Sequence, residues 1–234
     1  MKESIYTIPV NEVFEPKDGC PICRLRDMLE SRAVEYIMGA AMMEPDVRIE
    51  TNEQGFCSRH FNQMLAQRNR LSVALILESH LNHIQKEIFE KKQGLFSAKD
   101  AKSSAVQKLS GSCYVCSKIE WGLNHMLETL FKLWSKESAF RELYAQQPVI
   151  CLEHYALLAS QAPAKLGKKL APEFLEVTGS LSKRYLDEVQ VDVSHFCKMF
   201  DYRNAGANAD WGNSRDSIER AVWYLTSRTP EAGK

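Results

Sequence analysis

Four short cysteine motifs limit what this chain can fold into. The first is Cys20-Pro21-Ile22-Cys23 and the second Cys57-Ser58-Arg59-His60, with 33 residues between them. The pattern recurs as Cys113-Tyr114-Val115-Cys116 and Cys151-Leu152-Glu153-His154, now with 34 residues between. Six of the seven cysteines and two of the six histidines belong to this arrangement. A CxxC turn lets two thiolates converge on one ion. A CxxH in the first turn of a helix points Cys and His the same way. Three sulfurs and one imidazole in a tetrahedron suit zinc. The spacing predicts one Cys3His site in each copy and two zinc ions per chain. Cys20, Cys23, Cys57 and His60 form the first set, and Cys113, Cys116, Cys151 and His154 the second. Protein fills all four positions, leaving none for substrate or water, which favours a structural role over catalysis. Redox-active thiols and an iron–sulfur cluster are rival readings of the same residues.

At 234 residues the chain can bury one sizeable core or form two small units. Acidic and basic residues balance at 30 each, and each half of the chain is balanced too. A protein that grips a nucleic-acid duplex needs a basic excess, so nucleic acid is not an expected partner. No apolar run approaches the ~18–20 residues of a membrane span, and the first residues do not resemble a signal peptide. The expectation is a cytoplasmic protein, where paired CxxC and CxxH motifs favour metal or redox chemistry over disulfides. The deaminase HxE…PCxxC signature, HExxH, GxSxG and Walker-type loops are all absent, which leans away from an enzyme.

No alternating strand–helix pattern appears, and the fold class is all-α, a duplicated helix pair with metal ligands at helix N-termini. Residues 1–19 read as an N-terminal arm with an extended segment near 5–10. The first repeat covers 20–92. Its first helix carries a stripe of Leu25, Met28, Leu29, Arg32 or Ala33, and Tyr36, and its second is a long helix from about Ser58 to Lys92. Between them, Asp46, Arg48 and Glu50 alternate with Val47 and Ile49, the pattern of an extended segment over 45–51. Residues 93–112 read as a connection, and 113–200 as the second repeat, with Pro163 and Pro172 interrupting its last helices. Residues 201–234 form a C-terminal loop and a helix capped by Asp216 with Glu219.

Chain reach adds a constraint. Extended, residues 40–56 span more than ~50 Å, enough to return Cys57 to Cys23. In the second copy, an unbroken helix from Cys116 to Ala145 would rise ~43 Å, and the five residues 146–150 reach only ~17 Å. A shared ion therefore needs a break near Ser135–Ser138, with Ser135 or Ser138 as a cap. The alternative is crossed ligation, each CxxC with the other copy's CxxH.

Other residues invite roles. His80 and His83, three apart on a helix, either join a metal site or form an exposed face. His125 and His195 read as structural, and Cys197 as a small buried apolar residue. Segment 42–52 has no counterpart in the second copy. Asp46, Arg48 and Glu50 thus become candidate ligand-binding residues, or charges that pair among themselves. Tyr202, Arg203, Trp211 and Arg215 in the C-terminal loop are the companion candidates, lining a pocket or a packed closing loop.

Five motifs are involved in a resemblance: CPxC at Cys20–Cys23, MMEPDVRIETN at Met42–Asn52, GFCxRH at Gly55–His60, the second CxxC and CxxH set, and WGxSRDxxxRA at Trp211–Ala221. Together they resemble an uncharacterised family of bacterial cytosolic proteins, a domain of unknown function. The resemblance spans nearly the whole chain, implies bacterial origin, and assigns no activity or site residue. Three functions compete: a zinc-stabilised helical protein that binds a protein or small-molecule partner, a thiol-redox or metal-responsive protein, and an enzyme centred on Asp46, Arg48 and Glu50.

Overall fold

The computed structural model describes residues 6–90, 98–201 and 210–230. It is all-helical, with no strand among the described residues. In chain order the helices are α1 (Thr7–Phe14), α2 (Pro21–Met38), α3 (Pro45–Gln54), α4 (Ser58–Ala66), α5 (Arg70–Ile84), α6 (Ala98–Gly111), α7 (Tyr114–Lys136), α8 (Ser138–Ala145), α9 (Leu152–Met199) and α10 (Ser217–Thr226). A 3-10 turn covers Ala40–Met43, and a π-turn, Gln85–Glu90, extends α5.

The chain divides into two compact units. The terminal unit joins Met1–Leu25 to His125–Lys234, and the central unit is Arg26–Asn124. The boundaries fall inside α2 and α7, so the CxxC that opens α2 belongs to the terminal unit and the CxxC that opens α7 to the central one.

Both expected extended segments are helical. In α1, Val10, Val13 and Phe14 are buried while Ile8 is exposed, a helical spacing. Pro9 is tolerated in the first turn, where its missing N–H has no helical acceptor to lose. In α3, Pro45 occupies the first position and presets the helical φ. Val47 and Thr51, four apart, face inward, while Ile49 is 56% exposed. The alternation of Val47 and Ile49 was thus misleading: only one of the two is buried.

The long helix expected over 58–92 is broken. Arg68 takes φ 60°, and Asn69 starts α5 by accepting the Ser72 N–H at 3.2 Å. Asn69 and Ser72 both also donate to the Met38 carbonyl, at 3.4 and 3.2 Å. Within the expected connection 93–112, residues 98–111 form α6, and 91–97 lie outside the described residues. Pro163 and Pro172 do not interrupt α9. Its one non-helical residue is Gly167, at φ 68° and ψ 179°, so it is in effect two helices, 152–166 and 168–199. Asp216 is the N-cap of α10 but makes no side-chain cap bond; it accepts from Arg220 Nε at 3.0 Å instead.

Each unit has its own core. In the terminal unit, Phe14, Phe131, Trp134, Phe140, Tyr144 and Phe174 interlock, with ring centroids about 5.0–5.5 Å apart in pairs such as Trp134–Phe174 and Phe14–Phe140. In the central unit, Val34, Ile37 and Met38 of α2 pack with Val47, Met64, Val73, Ile76, Val115 and Ile119. The buried face of α2 is therefore Ile22, Leu25, Arg26, Glu30, Val34 and Ile37, and the expected stripe residue Tyr36 is half exposed.

Candidate metal centres

All four motifs sit at helix starts. Cys20 immediately precedes α2 and Cys113 immediately precedes α7, with Cys23 and Cys116 in the first turns. Cys57 and Cys151 are the N-caps of α4 and α9, both extended at ψ near 160°, with His60 and His154 one turn on. The free N–H groups and dipole of a helix N-terminus favour thiolates there.

The eight residues form two groups of four, with donor atoms within 4.8 Å of one another in each. One group is Cys20, Cys23, Cys151 and His154; the other is Cys57, His60, Cys113 and Cys116. The expected pairing within 20–92 and within 113–200 is therefore corrected: Cys20 and Cys23 meet Cys151 and His154, and Cys113 and Cys116 meet Cys57 and His60. The crossed alternative is the observed one.

Chain reach narrows the choice of pairing but does not decide it. Because 40–43 and 45–54 are helical rather than extended, the span available to 40–56 falls from more than ~50 Å to ~30 Å. That still exceeds the ~24 Å rise of α2 from Cys23 to Gly39, so the shorter tether tightens a return of Cys57 to Cys23 without forbidding it. From Cys116 to Lys136, α7 rises ~30 Å, and α8 with the five residues 146–150 returns at most ~29 Å. The expected break does occur, at Glu137, which is the N-cap of α8 and makes no side-chain cap bond. It does not return Cys151 to Cys116. It lets Cys151 meet Cys20 and Cys23 instead.

The distances suit a tetrahedral ion. With Zn–S about 2.3 Å and Zn–N about 2.0–2.1 Å, the S···S edge is about 3.8 Å and the S···N edge about 3.6 Å. In the terminal unit, Cys23 Sγ lies 3.7 Å from Cys151 Sγ, and His154 Nδ1 lies 3.1–3.6 Å from the three sulfurs. In the central unit, Cys57 Sγ lies 4.0 Å from Cys116 Sγ, and His60 Nδ1 lies 3.1, 3.2 and 3.5 Å from Cys57, Cys113 and Cys116. The donor set and its spacing fit a borderline-soft tetrahedral metal at both places.

The two groups differ in their surroundings. Cys20, Cys23, Cys151 and His154 are all buried. The C-terminal end of α10 closes over them: the Cys23 thiol lies 3.8 Å from the Ser227 carbonyl, and the Ser227 hydroxyl donates to Glu153. In the central unit His60 and Cys113 are buried, Cys57 is half-buried and Cys116 is exposed.

The central unit has a support that sequence reasoning missed. Glu30, buried on α2, accepts from His60 Nε2 at 2.9 Å and from Arg59 at 2.7 Å. An ionised carboxylate only accepts, so in the neutral ring it holds the proton on Nε2 and leaves the Nδ1 lone pair facing the sulfurs, the tautomer a metal requires. The one available signal was an acidic residue on the side of α2 that also carries Val34 and Ile37.

Ionisation follows the crowding of sulfurs. Burial pushes His60 down, but hydrogen bonds to Cys113 and Glu30 outweigh it and raise it to about 9. Burial pushes the Cys113 thiol up, and the His60 hydrogen bond outweighs it, bringing it down to about 6. Burial and the charge on Cys113 hold Cys116 up, at about 12. In the terminal unit Cys20 falls well below the usual thiol range: burial opposes this, but hydrogen bonds from Cys151, Cys23 and His154 prevail. Hydrogen bonding to its sulfur neighbours and burial push Cys23 upward, and Cys151 rises to about 12, chiefly through its hydrogen bond to Cys20.

The other sequence candidates divide between the two units. Asp46 is exposed in the first turn of α3, Arg48 donates to the Leu75 carbonyl at 3.4 Å, and Glu50 pairs with Lys118 at 2.8 Å. These three lie in the central unit; Trp211 and Arg215 lie in the terminal one. Trp211 packs on Phe196 and Phe200, with the Arg215 guanidinium 5.9 Å from its ring centre. Tyr202 and Arg203 lie outside the described residues. His80 is buried and bonds the Asn52 carbonyl at 3.1 Å; neither it nor His83 joins a metal group. His195 faces the Asp210 carbonyl at 2.9 Å, and the His125 ring packs on Tyr6. Cys197 is exposed, not buried as expected. No described helix is long and apolar enough to cross a membrane.

The model of a family of unknown function, DUF6062, matches residues 1–232, and the chain belongs to that family. No curated protein and no solved structure matches it.

Proposed function

We propose that this chain is a zinc-stabilised helical protein without catalytic activity of its own, in which two Cys3His zinc ions fix the two units from within and leave the surface to a protein or small-molecule partner. One observation carries this reading: each donor group joins motifs remote in sequence, and its atoms already stand at tetrahedral spacing. Cys23 and Cys151 are 128 positions apart, and Cys57 and Cys116 are 59. An ion bound by both ends of so long a loop adds its binding free energy to folding. Four protein donors per ion leave no open position for a substrate.

The test is elemental analysis of protein purified without added metal. The expected result is two zinc per chain; metal-free, folded protein with all seven thiols titratable would overturn the reading.

The partial exposure of the central group supports a second reading, a metal-responsive role. Peroxide would take two electrons from the Cys57 and Cys116 thiolates, form one disulfide, leave as two hydroxide ions and release the zinc. Zinc release at mild peroxide that reductant reverses supports this; release only on global unfolding counts against it.

A further inference from the structure

A cavity of about 440 Å³ opens in the terminal unit, within the size range of small-ligand sites. Its walls come partly from the segments that lead into the buried metal group. Lys17, Asp18 and Gly19 run directly into Cys20, and Pro148 and Val149 precede Cys151 by two or three positions. Tyr185 of α9 and Trp223 of α10 add two aromatic rings, 5.8 Å apart and edge to face, and Pro230 adds a further apolar wall.

The charges around it are not balanced. Arg220 is engaged: it meets Asp192 at 2.8 Å, Asp216 at 3.0 Å and Glu188 at 3.9 Å. Lys17 donates to the neutral Gln146 amide at 2.5 Å and keeps its charge, while Asp18 pairs with Arg24. That leaves Glu219, exposed in the first turn of α10, with no partner among the described residues. The cavity thus offers two aromatic faces, an apolar floor, the Glu219 carboxylate and the Lys17 ammonium, and with three carboxylates gathered around the single Arg220 guanidinium its wall is acidic on balance. A cation set over an aromatic face near a carboxylate gains from both.

We propose that this cavity binds an organic cation with an apolar body, its ammonium or guanidinium group set against Glu219 and the rings of Trp223 and Tyr185, and its hydrocarbon over Pro148, Val149 and Pro230. The cation is carried either by a free amine or by a lysine or arginine side chain of a polypeptide. The proposal rests on the fold of the terminal unit and not on the identity of the metal that its cysteine group holds.

The experiment titrates the full chain with three probes of one shape: phenethylamine, 2-phenylethanol and 3-phenylpropionate, followed by saturation-transfer NMR and calorimetry. Phenethylamine should bind at least about tenfold more tightly than the alcohol, and the carboxylate should not bind. Glu219→Gln should erase the preference for the amine, and Trp223→Leu should abolish binding while Trp223→Phe retains it. If thermal unfolding shows that Trp223→Leu is not folded, Glu219→Gln and Trp223→Phe decide. Carboxylate binding as tight as the amine, an amine preference that survives Glu219→Gln, or no binding of any probe overturns the proposal. Displacement of phenethylamine by a lysine-containing peptide assigns the cation to a polypeptide, and failure to displace it assigns the cation to a free amine.

Discussion

The two metal groups share a donor set and a spacing, yet they are built on different principles. The terminal group is secured by burial: all four donors are enclosed, and the end of α10 closes over them through Ser227. The central group is secured by a hydrogen-bond support. Glu30 orients His60 and is itself held by Arg59, while Cys116 faces solvent. Burial opposes ligand exchange by keeping water and competing donors out, whereas orientation raises affinity and leaves a route in. On the zinc reading proposed above, the same donor set would hold a permanent staple in the terminal unit and an exchangeable ion in the central one.

The sharpest way to break that comparison is to remove one sulfur from each group. Cys151→Ser should cost more than ~4 kcal/mol, because it removes metal binding energy and leaves two thiols and an imidazole buried without their ion. Cys116→Ser should cost about half as much, since water can reach the place its sulfur vacates. Urea unfolding with metal analysis checks both: each variant should retain one zinc, and equal costs would remove the distinction. Phenethylamine binding at the Trp223 cavity should fail in Cys151→Ser and survive in Cys116→Ser. Only the former loosens the segments around Gly19 and Val149.

Glu30→Gln comes next. The isosteric amide can still contact Nε2, but it no longer supplies the charge that makes the imidazole a stronger donor. Zinc affinity of the central group should fall ~10–100-fold, with the terminal group unchanged. Competition with a chromophoric chelator reads this as a growing gap between two release phases. A single phase shifted as a whole would mean that the two groups are not independent.

Gly55→Ala tests how the central group is assembled. Gly55 lies at φ 60°, its carbonyl accepts the Tyr114 N–H at 3.0 Å, and a Cβ there would stand 3.0 Å from His80 Nε2. This residue therefore ties the approach to Cys57 to the start of α7, beside Cys113. The substitution should cost ~1–3 kcal/mol through backbone strain, with a measurable loss of zinc from the central group only.

The sequence carried the donor identities and their helix-start positions because both are local: a cysteine, a turn and a three-residue step lie within one turn of chain. The all-helical class was legible for the same reason. Ligation partners were not, because they depend on how elements remote in sequence pack. Val47 and Ile49 resemble a strand when read alone, and treating 45–51 as extended overstated the reach of the tether. Pro45 at a helix start and inward Val47 and Thr51 supply the shorter length. Arg68 and Asn69 show a related limit: a helix break set by one positive φ and one cap carries almost no periodic signal. Glu30 escaped notice because its role exists only once α4 is packed against α2.

The smallest expected effect concerns the charges that first suggested a site. Glu50 and Lys118 form an ion pair at 2.8 Å with both side chains more than 40% exposed, and the pairing raises the Lys118 pKa. Exposed pairs contribute ~0–1 kcal/mol and are screened by salt. Glu50→Gln should therefore change stability by no more than ~0.5 kcal/mol, and the change should vanish in 1 M salt. It should leave both zinc ions in place, because neither Glu50 nor Lys118 touches a donor. A larger loss confined to the central group would mean that Lys118, on the first turns of α7, positions Cys116 through Glu50. In that case the exposed group would depend on surface charge, to which burial makes the terminal group indifferent.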